Sequence, residues 1–141
     1  MARPPLPPAF QELLRRPNPC VVATLAPDGT LHTAATWYEW RDDGSVLLNM
    51  DASRIRLEHM RSDPRIALTM LDAESWYRHI SIVGRVIDIH ADADLEDIDR
   101  LSQHYTGNPY RNRSRDSRTA IVEVQRWHGW RNGQSISTET V

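Results

Sequence analysis

Ser53-Arg54-Ile55-Arg56-Leu57-Glu58-His59-Met60-Arg61-Ser62-Asp63-Pro64, residues 53–64, interrupts a chain that otherwise reads mostly as strands. Ile55, Leu57 and Met60 share one broad face, and Asp63-Pro64 stops the segment, because a residue before proline is driven out of the helical region. The pattern predicts a helix over 53–62 with Ser53 or Asp51 as its N-cap. Its start breaks an electrostatic rule. A helix N-terminus carries partial positive charge and favours Asp or Glu, yet Arg54 and Arg56 stand in the first turn. Two guanidinium groups, a serine hydroxyl and exposed backbone N–H groups make a receptor for a phosphate. The other reading is that both arginines face water or pair with Glu58 or Asp51.

Upstream, Cys20–Leu25 is an apolar strand, Ala26-Pro27-Asp28-Gly29 a turn, Thr30–Trp40 a second strand, Arg41-Asp42-Asp43-Gly44 a second turn and Ser45–Met50 a third strand. Together they predict a meander of hairpins. Downstream, Arg65–Leu71 is a strand and Tyr77–His90 a long one whose apolar phase slips near Gly84, the mark of a bulge or bend. Leu95, Ile98 and Leu101 place a helix over 93–105, Gly107–Ser117 is a polar, arginine-rich loop, and Thr119–Arg126 is a last strand. A short helix over 8–16 precedes the first strand, with Pro8 in its first turn and Pro17 at its end. The sum is one domain over residues 1–141, mainly β, an antiparallel barrel of six strands with short helices at its ends. Residues 1–7 and 132–141 are expected to be flexible tails.

Composition narrows the chemistry. The formal net charge of −2 gives no global pull toward nucleic acid or an anionic membrane. One cysteine, Cys20, excludes an internal disulfide. Four prolines among the first eight residues do not form the apolar core of a signal peptide, and no apolar run approaches the ~20 residues that span a bilayer. A cytoplasmic location is expected. All 17 basic residues are arginine, so Schiff-base chemistry on a lysine is excluded. The same bias means that arginine at a phosphate site is not a choice over lysine. The six histidines show no metal-binding spacing, and no metal site is expected.

Other candidates carry two readings each. Trp37, beside Thr36 on the second strand, supplies a flat wall for a planar ring, or with Tyr38 and Trp40 it belongs to the core or to an interface. Trp76, Tyr77 and His79 line a ligand pocket or cover one end of the barrel. Arg111, Arg113, Arg115 and Arg118 bind an anionic tail or are simply solvated.

The ordered set of segments resembles a known family. Cys20–Gly29, Ser53–Arg65, Ile82-Val83-Gly84-Arg85-Val86, Tyr105-Thr106-Gly107-Asn108-Pro109-Tyr110 and Trp127-His128-Gly129-Trp130 follow the order of the pyridoxamine 5'-phosphate oxidase-like split β-barrel superfamily, within it the coenzyme F420-dependent oxidoreductases. The resemblance covers residues from about 10 to 130. It implies a six-stranded split barrel that forms a homodimer with two cofactors in the interface. It implies that Arg54 and Arg56, with Ser53, hold the cofactor phosphate. Arg56 stands where many relatives have lysine. Thr36 and Trp37 match positions beside the ring, Asn49 and Met50 at the end of the third strand count among the cofactor-binding residues, and Trp76, Tyr77 and His79 would come from the partner subunit.

The implied activity is hydride transfer between reduced deazaflavin coenzyme F420 and a small unsaturated organic acceptor, with no catalytic side chain assigned and His79 or Tyr77 as a candidate proton donor. Two alternatives stand beside it. One is an FMN-dependent oxidoreductase on the same fold. The other is a flavin, deazaflavin or haem carrier without turnover. Vitamin B6 oxidation itself is the least expected, because the chain ends soon after Trp130.

Overall fold

Both hairpins of the expected meander form, but its middle strand is broken, and the two halves stand at opposite edges of one sheet. In the computed structural model, which describes residues 1–137, the order of elements is α1 (Pro8–Leu14), β1 (Cys20–Leu25), β2 (Leu31–Thr36), β3 (Glu39–Trp40), β4 (Val46–Asp51), α2 (Ile55–Ser62), β5 (Arg65–Leu71), β6 (His79–Ala91), α3 (Glu96–Thr106), β7 (Ser117–Arg131) and β8 (Gln134–Ile136). All pairings are antiparallel, in the order β2-β1-β5-β6-β7-β4-β3, with β8 also on β7.

Connectivity forces this sheet to curl. β2 and β3 are its two outer members, yet only Trp37 and Tyr38 lie between them in sequence. Seven strands laid flat would hold their outer members about 29 Å apart. The Cα atoms of Thr36 and Glu39 lie within about 11 Å, the reach of three residues. The sheet therefore wraps until its edges approach at Trp37-Tyr38, and because no ladder joins β2 to β3 it stays open.

The expected count of six strands is corrected to eight among the described residues. One extra strand comes from breaking Thr30–Trp40 in two. Tyr38 turns inward to 1% exposure, donates its hydroxyl to Leu14 O (2.8 Å) and accepts from Asn18 Nδ2 (3.2 Å), so the ladder on β1 ends at Thr36. The other is β8, inside the stretch expected as a loose tail. Residues 138–141 of that tail lie outside the described residues. The N-terminal seven residues are tied down as well. Ala2 and Trp127 exchange two backbone hydrogen bonds of 2.9 Å, Trp127 Nε1 donates to Arg3 O (3.0 Å), and Leu6 is buried.

The main core lies inside the curl, built from alternate residues of β1, β4, β5, β6 and β7 with Leu57 and Met60 of α2. A second cluster, Leu47, Leu95, Ile98, Leu101 and Ile121, seats α3 on the outside of the sheet, and Trp37 and Tyr110 pack against it. This second cluster carries α3 and its following loop to the mouth of the site. Among the described residues no helix is long and apolar enough to cross a membrane.

The phase slip at Gly84 is a register shift between Val83 and Gly84 on the β7 ladder. A Cβ at position 84 would lie 2.6 Å from Glu123 O and 2.7 Å from Val122 Cγ1. Backbone cannot yield as a side chain can, so Gly84→Ala is expected to cost about 1–3 kcal/mol. Urea unfolding checks this, and an unchanged midpoint would show that β7 moves aside freely.

Candidate functional site

The break between β2 and β3 opens a cavity of about 550 Å³, and Thr36, Trp37, Asn49, Arg56, Tyr105, Tyr110 and Arg115 are among its lining residues. It lies where the end of β2, the end of β4, the first turn of α2, the face of α3 and the loop before β7 converge.

The aromatic side is fixed by α3. Tyr105 lies one turn beyond Leu101 on the buried face of that helix, and its hydroxyl donates to Asn18 O (2.6 Å) while accepting from Tyr38 N (3.3 Å). Trp37 stacks on Tyr105 with ring centres 5.2 Å apart and planes at 11°, and meets Tyr110 edge-on at 6.3 Å. Cys20 also lines the cavity, but burial pushes its thiol up to about 12, and burial likewise raises the Tyr105 phenol. Neither group is poised to exchange a proton near neutrality.

The cationic side comes from α2 and the loop before β7. Helix α2 begins two residues later than expected, at Ile55, with Arg54 at the cap position and no side-chain cap. Ser53 is not the N-cap. Asp51 accepts from both Ser53 N (3.0 Å) and Ser53 Oγ (2.7 Å), and these bonds hold the Asp51 carboxyl below its usual range. Arg56 is half-buried. Its guanidinium is destabilised first by that burial and then by the charges of Arg54 and Arg115. Among the described residues neither Arg56 nor Arg115 pairs with a carboxylate. The expected alternative, Arg54 and Arg56 paired with Glu58 or Asp51, is likewise absent among them.

The arginine-rich loop divides. Arg113 forms a two-pronged bond to Asp99 (2.6 and 3.0 Å) and Arg118 pairs with Asp116 (3.0 Å), whereas Arg115 turns into the cavity.

Not every candidate meets here. Thr36, Trp37, Asn49 and Arg56 line the cavity. Ser53 and Arg54 sit at the exposed start of α2. Met50 does not reach the cavity: successive residues of a strand face opposite ways, and with Asn49 facing the cavity side, Met50 is 1% exposed in the core. Trp76 is exposed and stacked on Tyr77 (4.6 Å), and His79 stacks on Trp130 (6.4 Å), all away from the cavity of this chain. Among the described residues no three His, Cys, Asp or Glu side chains are placed to share a metal ion.

A family model described as pyridoxamine 5'-phosphate oxidase matches residues 6–131. The chain belongs to this family. Its fold recurs in an F420 reductase, 24% identical, over 86% of this chain and 98% of that one, with a TM-score of 0.78. It recurs in a conserved hypothetical protein of Mycobacterium tuberculosis, 20% identical over 99% and 96% of the two chains, TM-score 0.67. A haem-binding protein of Mycobacterium smegmatis is 17% identical over 98% of this chain and 59% of that one, TM-score 0.64. At these identities the likeness establishes the fold. No curated protein matches the chain. The pyridoxamine 5'-phosphate oxidase family includes oxidoreductases and binds flavins on this fold.

Tyr105 and Tyr110 were missed as site residues by sequence reasoning, although both stand in the Tyr105–Tyr110 segment that carried the resemblance. The signal for Tyr105 was its phase: it continues the Ile98, Leu101 face of α3 beyond the point where an apolar residue is needed for packing.

Proposed function

We propose that the protein is an oxidoreductase that binds coenzyme F420 and passes a hydride from its reduced form to a small unsaturated acceptor, acting as a homodimer. The observation that carries this reading is a pair of guanidinium groups, Arg56 and Arg115, that line an aromatic-walled cavity and form no ion pair with a carboxylate among the described residues. The mutual repulsion of Arg54, Arg56 and Arg115 is tolerable when a phosphate lies among them. A cavity of about 550 Å³ with a flat Trp37–Tyr105 wall fits a phosphate-bearing ring system. When bound, the deazaflavin supplies the hydride. Arg54 and Arg56 hold the phosphate, while Trp37, Tyr105 and Tyr110 orient the ring and exclude water. We assign no catalytic side chain.

The dimer is supported by the outer face of the sheet. The register aligns Ala35, Val21, Thr69 and Ser81 in one row and Thr33, Ala23, Ala67 and Val83 in the next, a smooth surface of small and apolar residues on which Val21 and Val83 are exposed. A second copy on this face is the arrangement in which Trp76, Tyr77 and His79 would reach a cofactor.

FMN is the second reading, and one observation favours it. With Arg113 and Arg118 bound to acids and Arg115 in the cavity, only Arg111 of the loop remains for the acidic tail that F420 carries and FMN lacks. Fluorescence titration of the apo protein with F420, FMN and riboflavin side by side tests the proposal. F420 is expected to bind at least tenfold more tightly than FMN. A yellow protein that retains FMN would transfer the assignment to the flavin. Binding without oxidation of the reduced cofactor by any enone, nitroaromatic or tetrapyrrole would make the protein a carrier.

A further inference from the structure

Arginines placed at a fixed angle are commonly anchored by a carboxylate, which also cancels their charge. Arg115 is anchored differently. Its Nε and Nη2 donate to Asn49 Oδ1 (3.3 and 3.1 Å), its Nη1 donates to Tyr110 Oη (3.0 Å), and its guanidinium carbon lies 4.8 Å from the Tyr110 ring centre. Every one of these partners is neutral.

The orientation of Asn49 is dictated from behind. The residue is 5% exposed, and its Nδ2 faces Ser117 Oγ (2.9 Å) and Thr119 Oγ1 (3.2 Å). Thr119 gives its hydrogen to Asp97 Oδ2 (2.7 Å); Ser117 has two acceptors in reach, Asp92 Oδ2 (2.9 Å) and Asn49 Oδ1 (3.1 Å), and the charged, shorter one takes its hydrogen. Their remaining capacity toward Asn49 is to accept, so the amide must present its NH₂ to them and its oxygen to Arg115. Asp92 Oδ2 also accepts from Asn49 Nδ2 itself (3.4 Å), and neither acid is hydrogen-bonded to the guanidinium.

We propose that Asn49 is a positioning residue that holds Arg115 as an uncancelled cation for the cofactor's phosphate, and that its being an amide rather than a carboxylate makes the site prefer the phosphorylated form. The proposal rests on the reading of the cavity as a phosphate-bearing cofactor site. Arg56 approaches from α2 and Arg115 from the loop before β7, so the phosphate bridges two elements far apart in sequence.

Asn49→Asp keeps the shape and cancels the charge, and Arg115→Gln removes the cation from a surface loop. Two measurements separate the proposal from the reading beneath it. The first is the rise in melting midpoint of the apo protein in inorganic phosphate over chloride at equal ionic strength. The wild type is expected to rise and both variants to lose most of that rise. A wild type without the rise, or variants that keep it, overturns the proposal. The second is the affinity ratio of FMN to riboflavin, and of F420 to its phosphate-free deazaflavin. Whichever pair binds, the ratio is expected to fall about 10–100-fold in both variants. A merely structural role would weaken both members of the pair alike and leave the ratio unchanged, which overturns the proposal. An intact phosphate response with no ring binding at all would instead remove the cofactor reading and leave an anion site held by Asn49 and Arg115.

Discussion

Arg56→Glu is expected to abolish binding of the phosphorylated cofactor while leaving the apo fold intact or slightly more stable. Arg56 makes no side-chain hydrogen bond to the described protein, so no hydrogen bond is lost with it, and the glutamate stem keeps part of its packing. Its position is unfavourable in the apo state, being half-buried beside Arg54 and Arg115, and a carboxylate there would be attracted to both. With cofactor the sign reverses. The variant removes a charge-assisted bond and sets a carboxylate against a phosphate in a partly desolvated site. Losing one partner of such a pair costs about 2–5 kcal/mol, a factor of roughly 30 to several thousand in affinity. Fluorescence titration gives the affinity, and urea unfolding of the apo protein gives the stability. Near-native affinity would displace the phosphate from α2 altogether. A large loss of apo stability would show that Arg56 is structural. The opposed effects on stability and binding are what distinguish a functional cation from a surface one.

The legible part of this molecule is the part governed by neighbours in sequence. β1 and β5 are read to the residue, because β1 runs to the edge of the Ala26–Gly29 turn and β5 begins directly after Asp63-Pro64. The break at Trp37-Tyr38 is illegible for the opposite reason. Both residues favour strands, and what turns Tyr38 inward is Leu14, Asn18 and Tyr105, which lie 20 to 67 residues away. The N-terminal prolines read as a loose tail, and what fixes them is distant in sequence: the pairing of Ala2 with Trp127, the bond from Trp127 Nε1 to Arg3 O and the burial of Leu6.

The site divides in the same way. Arg54 and Arg56 stand out because they violate a rule of their own helix. Arg115 looks like any of its three neighbours in the loop until Asp99 and Asp116 claim two of them and Asn49, 66 residues away, claims Arg115. The family resemblance supplied the order of the segments. It did not distinguish Met50 from Asn49, which the two-residue period of a strand does.

Asp92→Ala is expected to be strongly destabilising, and to weaken the site as well. Asp92 is 6% exposed, directly after β6, and its carboxylate takes on four obligations. Oδ1 accepts from Asp97 N (3.0 Å), and Oδ2 accepts from Ile98 N (3.0 Å), Ser117 Oγ (2.9 Å) and, at the long limit, Asn49 Nδ2 (3.4 Å). The residue at the cap position of α3, Leu95, is left-handed at φ 60° and offers no side-chain cap, so Asp92 does the capping from three residues further back. Alanine leaves two helix N–H groups without an acceptor, takes one partner from Asn49 Nδ2, and leaves Ser117 only Asn49 Oδ1 (3.1 Å) to donate to. A lost cap costs about 1 kcal/mol and each unsatisfied buried group about 1–3 kcal/mol, partly relieved by water, for a total of about 3–5 kcal/mol. That is a large fraction of the ~5–15 kcal/mol by which such domains are stable. The effect on the site follows from the same bonds. Without Asp92 the amide loses one acceptor for its NH₂ group and Ser117 is free to donate or accept, so Thr119 alone still fixes the orientation that Asn49 offers Arg115. Urea unfolding should show the loss. At a temperature where the variant is still folded, its response to inorganic phosphate should be weaker than that of the wild type. Asp92→Asn separates the two roles, since one amide oxygen can cap the helix while the NH₂ group meets Ser117. It should recover part of the stability and little of the phosphate response. If instead both recover together, the capping of α3 alone governs the cavity, and the path through Ser117 to Asn49 carries nothing.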